Sequence, residues 1–95
     1  MADRLHEAAR HGNLLKVKMF LRTIDVNRLS TQGYTAICEA CKTGKLEVVQ
    51  YLLERGADIE VGKRSCLYEA CWNGNVRVVR FLLENGANVE NKNEK

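Results

Sequence analysis

The chain has 95 residues, which is enough for one small domain with a modest hydrophobic core. Hydrophobic residues make up 45% of it, so disorder along its whole length is not expected, and its net charge of +3 does not require a nucleic-acid partner. No apolar run approaches the roughly 20 residues of a membrane span, and the charged start MADRLHEAAR does not resemble a secretory signal.

The first predicted elements are two short helices, over residues 3–11 and 14–22. Gly12 separates them, because glycine is the usual residue where a helix ends in the left-handed conformation. A polar segment then follows up to the next helix. The sequence therefore predicts a helix, a tight turn and a second helix.

The second pair of helices is predicted over residues 36–43 and 46–55. Thr35 is a suitable N-cap for the first of them, and Gly44 ends it. Apolar residues then recur at intervals of three and four, which indicates a helix with one buried stripe: Leu46, Val49, Leu52 and Leu53. Gly56 marks the end of that helix.

The third pair is predicted over residues 66–73 and 76–85 by internal repetition. EACKTGKLEVVQYLLERGADIE, residues 39–60, matches EACWNGNVRVVRFLLENGANVE, residues 69–90, at thirteen of 22 positions when the conservative Ile59/Val89 pair is counted. A weaker third copy covers residues 5–27. Such units cannot bury their apolar faces alone, so the chain is predicted to be a short solenoid.

The repeats resemble the ankyrin repeat, whose motif is GxTPLHxAAxxGHxxVVxLLLxxGADxN. Residues 33–60 read GYTAICEACKTGKLEVVQYLLERGADIE. The resemblance implies an all-α ankyrin solenoid of three helix–turn–helix units joined by short hairpin-like loops. It places one domain over residues 1–95, with repeats at about 3–27, 28–60 and 61–90 and a tail at 91–95. The motif's proline is absent, and the link between residues 56 and 67 is shorter than in the family.

The two ends of the predicted stack differ. Lys16 stands where the later repeats have Val48 and Val78. Burial of an unpaired ammonium is costly, so that face of repeat 1 is expected to meet water. Repeat 3 keeps Val76, Val79 and Leu83 at positions that the resemblance assigns to the contact with a next repeat. We therefore expect the N-terminal part of a longer array, or self-association through repeat 3.

The four cysteines permit two interpretations. Cys38, Cys41, Cys66 and Cys71 could provide a zinc site, since four thiolates close a tetrahedral shell. The resemblance instead places Cys41 and Cys71 in a small buried position of the repeat, where cysteine acts as a small hydrophobic residue. We predict four reduced, metal-free cysteines with Cys41 and Cys71 buried, in a reducing compartment such as the cytoplasm or nucleus.

No catalytic constellation is evident. His6 and His11 are the only histidines, and the repeat geometry places no serine or cysteine nucleophile beside them. By resemblance, His6 holds the backbone of a loop. Every glycine is explained by a helix end or a turn, so no phosphate-binding loop remains. Neither an enzyme activity nor a cofactor is expected.

Partner contacts are implied by the resemblance, because ankyrin proteins bind partners through loop tips and the ends of first helices. The matching positions are Arg10, His11, Thr31, Gln32, Tyr34, Lys42, Thr43, Lys63, Arg64, Trp72 and Asn73. Trp72 stands where the other repeats have Arg10 and Lys42, which are solvent-type residues. An indole at this position is predicted to face the groove as a binding anchor. The alternative is that Trp72 folds back over its own repeat.

A glutamate recurs once per repeat, at Glu7, Glu39 and Glu69. Stacked repeats would place these residues in a column. One interpretation is a solvated edge paired with Arg10, Lys42 or a neighbour three residues away. The other is a binding row for a basic peptide, with Glu39 and Glu69 as contact residues.

Two function classes follow. The first is a non-catalytic module that binds a protein or peptide in its concave groove. The alternative is nucleic-acid binding, with Lys42, Lys63, Arg64, Arg77 and Arg80 as cations and Tyr34 and Trp72 as stacking groups. The acidic Glu39 and Glu69 argue against phosphate binding in the same groove.

Overall fold

The computed structural model describes residues 3–61 and 65–87. Six helices follow one another in three pairs: α1 Arg4–His11 with α2 Leu14–Phe20, α3 Ala36–Thr43 with α4 Leu46–Glu54, and α5 Cys66–Trp72 with α6 Val76–Glu84. The predicted all-α solenoid is confirmed, and the described residues contain no strand. The bounds of α3 agree with the prediction, and the other helices start or end one or two residues inside it.

Local chemistry explains where the helices begin and end. The hydroxyl of Thr35 accepts a hydrogen bond from the amide of Cys38 and caps α3, and Ser65 caps α5 in the same way through the amide of Tyr68. Gly12 and Gly44 follow α1 and α3 with φ of 76° and 75°. A residue with a Cβ atom is strained in this left-handed conformation, so glycine favours a sharp turn into the next helix.

The helices form two layers. The first helices, α1, α3 and α5, pack closely side by side, whereas α2, α4 and α6 lie on them and touch one another less. The core runs between the layers and contains the largest fully buried side chains, including Leu5, Ile37, Leu52 and Leu82. Each helix pair thus buries its apolar stripe only with the help of its neighbours. Within the described residues, every helix is too short or too polar to cross a membrane.

Hydrogen bonds connect successive helix pairs. The Thr43 hydroxyl donates to the carbonyl of Arg10 over 2.7 Å, and Asn75 Nδ2 donates to the carbonyl of Cys41 over 2.8 Å. The Asp58 amide donates to Asn27 Oδ1 over 2.7 Å and joins two links. These bonds fix the register of the stack, because the first two satisfy carbonyls in the last turns of α1 and α3 and the third satisfies an amide of a link.

The two ends of the stack differ as the sequence predicts. Lys16 is exposed, while Val48 and Val78 at the equivalent positions are buried. At the other end, Val76 is 65% exposed and Leu83 44% exposed. Together with the half-buried Val79 they form an apolar depression on α6, which we call the back face.

Candidate partner-binding groove

The groove is the surface made by the first helices and the loop of residues 28–35. Between the first two helix pairs it contains a depression of about 320 Å³, lined by Asp3, His6, Glu7, Arg10, Ser30, Gln32, Glu39 and Lys42. Four of these side chains were predicted as contact residues: Arg10, Gln32, Glu39 and Lys42. The structure therefore brings together part of the predicted site.

The loop in front of α3 is fixed by a hydrogen bond from α1 and by one within the loop itself. His6 Nε2 donates to the carbonyl of Arg28 over 2.8 Å, the role that the family resemblance implied. The Ser30 amide donates to the carbonyl of Tyr34 over 2.7 Å, and Gly33 between them has a φ of 89°. The loop is thus a closed turn, which presents its tip at a defined place beside the groove.

Thr31 at the loop tip is tied to the start of the chain. Its hydroxyl donates to Asp3 Oδ2 over 2.8 Å, and its amide donates to Asp3 Oδ1 over 3.2 Å. The hydrogen bond from the Thr31 hydroxyl lowers the pKa of Asp3, because it stabilises the ionised carboxylate. Thr31 therefore helps to order the loop, and its neighbour Gln32 remains exposed beside the groove.

Glu39 lies beneath two cations instead of on a solvated edge. It is only 6% exposed, and its Oε1 lies 3.9 Å from Arg10 Nε and 3.7 Å from Lys42 Nζ. For Glu39, the interpretation as a solvated edge is right about the pairing with Arg10 and Lys42 but wrong about the solvation, because the flanking side chains cover the carboxylate. Lys42 Nζ also lies 4.5 Å from the ring centroid of Tyr34. This ion-pair cluster spans the first two repeats.

The third repeat presents an aromatic surface at the same level. Trp72 is 75% exposed, so it is not folded into the core. Its ring stacks on that of Tyr68, with the centroids 6.2 Å apart and the planes at 15°. Asn73 is exposed next to it and donates through Nδ2 to the carbonyl of Glu69. Glu69 itself is as buried as Glu39, and only Glu7 of the three glutamates is exposed.

Two more of the predicted contact residues, His11 and Thr43, do not line this depression. His11 lines a separate depression on the front of the stack, together with Arg4 and Lys16. The Thr43 hydroxyl is occupied by the bond to the Arg10 carbonyl. Lys63 and Arg64 lie outside the described residues.

The cysteines correct one prediction. Cys41 is buried as expected, together with Cys38 and Cys66, but Cys71 is exposed. The physical reason is the stacking order. The third helix pair covers Cys41, whereas no helix pair follows α6 in the described part of the chain to cover the equivalent Cys71.

The buried thiols form an inter-repeat cluster. Cys38 Sγ and Cys66 Sγ lie 2.8 Å apart as free cysteines. The hydrogen bond with Cys66, together with burial, raises the pKa of Cys38. The contact with Cys38 lowers the pKa of Cys66, but the neighbouring Cys41 thiol and burial outweigh it, and the net shift is upward. Both groups therefore stay neutral thiols and poor nucleophiles.

Among the described residues, no group of three or more histidine, cysteine or acidic side chains is arranged to hold a metal ion.

Comparison with known proteins identifies the architecture. A family model described as ankyrin repeats in three copies matches residues 5–93. The chain belongs to the ankyrin-repeat family. Ankyrin repeats are generally protein–protein interaction modules, and the family is generally non-enzymatic.

Solved structures share the ankyrin stack. A chain in the structure of a predatory endopeptidase from Bdellovibrio bacteriovorus in complex with an immunity protein is 34% identical, with a TM-score of 0.85 over 90% of this chain and 47% of that one. The human ASB11 ankyrin repeat domain is 32% identical, with a TM-score of 0.84 over 94% of this chain and 42% of that one.

Curated relatives are much longer than this ankyrin chain. Mouse ankyrin repeat domain-containing protein 40 is 39% identical over 61 residues, which are 62% of this chain and 17% of that protein. Alpha-latrotoxin-Lh1a of Latrodectus hasselti is 40% identical over 55 residues, which are 58% of this chain and 4% of that protein. The similarity concerns the ankyrin repeats alone.

Some groove residues of this ankyrin domain were not found from the sequence. Tyr68 is one of them, although its spacing of four residues from Trp72 is a signal for side-chain contact on one helix face. Asp3 was also missed as a lining residue, and Glu7 was recognised as part of the recurring glutamate but not as a contact residue. No local pattern marks Asp3, because it reaches the depression only when α1 packs beside α3.

Proposed function

We propose that this ankyrin domain is a non-catalytic interaction module that holds a peptide or protein partner along the groove of its first helices. The observation that carries the proposal is the exposure of Trp72 at a groove position where the other repeats have charged residues. A large aromatic side chain in water costs free energy unless a partner covers it. The proposed contact residues are Arg10, Gln32, Tyr34, Glu39, Lys42, Glu69, Trp72 and Asn73, with His11, Thr31, Thr43, Lys63 and Arg64 as further members of the predicted set.

The electrostatics of the groove favour a protein partner over nucleic acid. Arg10 and Lys42 both lie against the Glu39 carboxylate, so their charges are partly neutralised there. A phosphate backbone approaching this cluster would also meet buried Glu39 and exposed Glu7. Nucleic-acid binding therefore stays the alternative, and it is expected to be weak.

We expect Trp72→Ala to abolish the capture of groove partners in a pull-down, while Leu15→Ala leaves capture unchanged. Leu15 is a matched control because it is 72% exposed but lies on α2, in the outer layer. Equal capture by the two variants would contradict the groove proposal. Retention of nucleic acid, with an affinity that falls steeply and linearly in log salt, would instead support the alternative.

We also propose that a further ankyrin repeat packs on the back face of this domain. Val17 and Val49 are fully buried beneath the following helix pair, whereas the equivalent Val79 is only half buried. The exposed Val76 and Leu83 beside it are the residues that a next repeat would cover. A second copy of the chain could cover the same stripe, which is the alternative of self-association through repeat 3.

Sedimentation of the 95-residue chain at several concentrations tests the back face. We expect concentration-dependent association, because an uncovered apolar stripe gains free energy when it is buried. The double variant Val79→Lys with Leu83→Lys should be monomeric at every concentration, while Leu15→Lys with Met19→Lys on α2 should associate as the wild type does. Association that persists in the back-face variant would contradict this assignment.

The cysteines support a reducing compartment. All four are free, and three of them are buried next to one another without a disulfide. Such thiols persist where glutathione and thioredoxin keep them reduced. We propose the cytoplasm or the nucleus as the location.

A further inference from the structure

The second and third repeats carry the same glutamate in different surroundings. Glu39 and Glu69 occupy equivalent positions and are 6% and 5% exposed. Glu39 has two cations close to its carboxylate, one from the preceding repeat and one from its own helix, Arg10 and Lys42. Repeats 1 and 2 together therefore neutralise the Glu39 carboxylate.

The described residues of the third repeat do not provide this neutralisation. Among the described residues, no lysine, arginine or histidine nitrogen lies within ion-pair distance of the Glu69 carboxylate. The residue three positions after Glu69 is Trp72, where Glu39 has Lys42. The cation from the preceding repeat is also missing, because Lys42 lies against Glu39. The Glu69 residue is largely buried and its carboxylate has no counter-charge among the described residues, so the site favours an incoming cation.

The aromatic pair lies on the same helix, α5, as this carboxylate. Tyr68 and Trp72 stack one helical turn apart, and Glu69 is a neighbour of Trp72 at a spacing of three residues. A tryptophan face attracts a cation through its quadrupole. A guanidinium group can lie flat on the indole and donate hydrogen bonds to a carboxylate, because it is planar and has five donors.

We propose that Glu69, Trp72 and Tyr68 form a receptor site for an arginine side chain of the partner. This inference rests on the proposed groove function and names the chemistry that the groove selects. The partner's guanidinium lies beside Glu69 as Lys42 lies beside Glu39. The partner thus supplies the cation that Glu69 lacks among the described residues. Arginine is favoured over lysine because an ammonium lacks the planar stacking surface and the fork of donors.

The test uses the pentapeptide acetyl-Ala-Ala-Arg-Ala-Ala-amide and two analogues, in which lysine or uncharged citrulline replaces arginine. Trp72 is the only tryptophan, so its fluorescence and its indole N–H signal in NMR spectra report on this site alone. We expect saturable changes with the arginine peptide at millimolar concentration. Binding should be weaker with lysine and at least about tenfold weaker with citrulline, which keeps the shape but loses the charge. Equal binding of the citrulline peptide, or no saturable change, would overturn the proposal.

Three variants test the assignment, with the amide signals of residues 68–73 as the readout. Glu69→Gln should weaken binding of the arginine peptide at least about tenfold while the circular dichroism spectrum is unchanged. Trp72→Lys should do the same and raise the urea midpoint, because it gives Glu69 the internal cation of the second repeat. Glu47→Gln removes the same charge from an exposed position on α4 and should bind as the wild type does.

Different experimental results would refute the arginine site and the groove function. A captured partner that is lost with Trp72→Ala but retained with Glu69→Gln refutes the arginine site and leaves the groove function standing. Capture that Trp72→Ala does not change refutes the groove function itself.

Discussion

Leu52→Ala is expected to lower the free energy of unfolding by about 2–5 kcal/mol. Leu52 is fully buried on α4, between the two layers of helices. Its removal leaves a cavity that the closely packed neighbours cannot fill, and the stability of a small repeat domain is itself only several kcal/mol. Urea denaturation followed by helical circular dichroism would measure the change.

Two substitutions serve as controls for this cavity. Leu83→Ala removes the same atoms from the exposed back face and is expected to cost about 1 kcal/mol or less. Trp72→Ala is expected to have a similarly small effect on stability, because the indole lies in water. A loss of stability with Trp72→Ala as large as that with Leu52→Ala would mean that the tryptophan is part of the core, and it would remove the basis of the groove assignment.

Gly44→Ala is expected to cost about 2–5 kcal/mol. Part of the cost is the φ of 75°, which an L-residue with a Cβ adopts only under strain of about 1–2 kcal/mol. The rest comes from contact between repeats, since a methyl group on Gly44 would lie 2.8 Å from Asn75 Oδ1. If Asn75 moves away, it loses its hydrogen bonds to the carbonyls of Cys41 and Lys42, each worth about 0.5–1.5 kcal/mol.

Gly74→Ala separates the two contributions. Gly74 has a φ of 70°, but a methyl group there would meet no atom within 4 Å. Its cost should therefore be the backbone strain alone, about 1–2 kcal/mol. Equal losses of stability for the two variants, again by urea denaturation, would mean that the Asn75 contact does not stabilise the stack.

The helices were predictable because their signals are local. Thr35 before α3 and Gly44 after it act through hydrogen bonds and backbone angles within a few residues. The intervals between Gly12, Gly44 and Gly74 then predicted the repeat without any knowledge of packing. The ends of α2, α4, α5 and α6 were less accurate by one or two residues, because the last turn of a helix depends on the contacts of the following link.

The candidate site was predictable where equivalent positions differ in chemistry. Trp72 was predicted to face the groove because Arg10 and Lys42 occupy the same place, and its side chain is exposed. One of the two interpretations placed Glu39 at a solvated edge, but it is buried, since its cover comes in part from Arg10 of another repeat. Cys71 was expected to be buried and is exposed, although its own helix resembles that of Cys41.

The sequence by itself determined the repeat, its helices and the difference between the two ends of the stack. Periodicity, capping residues and the presence of Lys16 where the later repeats have valine can all be seen in the chain. Only the tertiary structure decided which glutamates are buried, which cysteine is exposed and that Tyr68 stacks on Trp72. Burial and charge pairing depend on the side chains that a neighbouring repeat contributes. Residues of the same type at equivalent positions therefore differ in exposure and in charge.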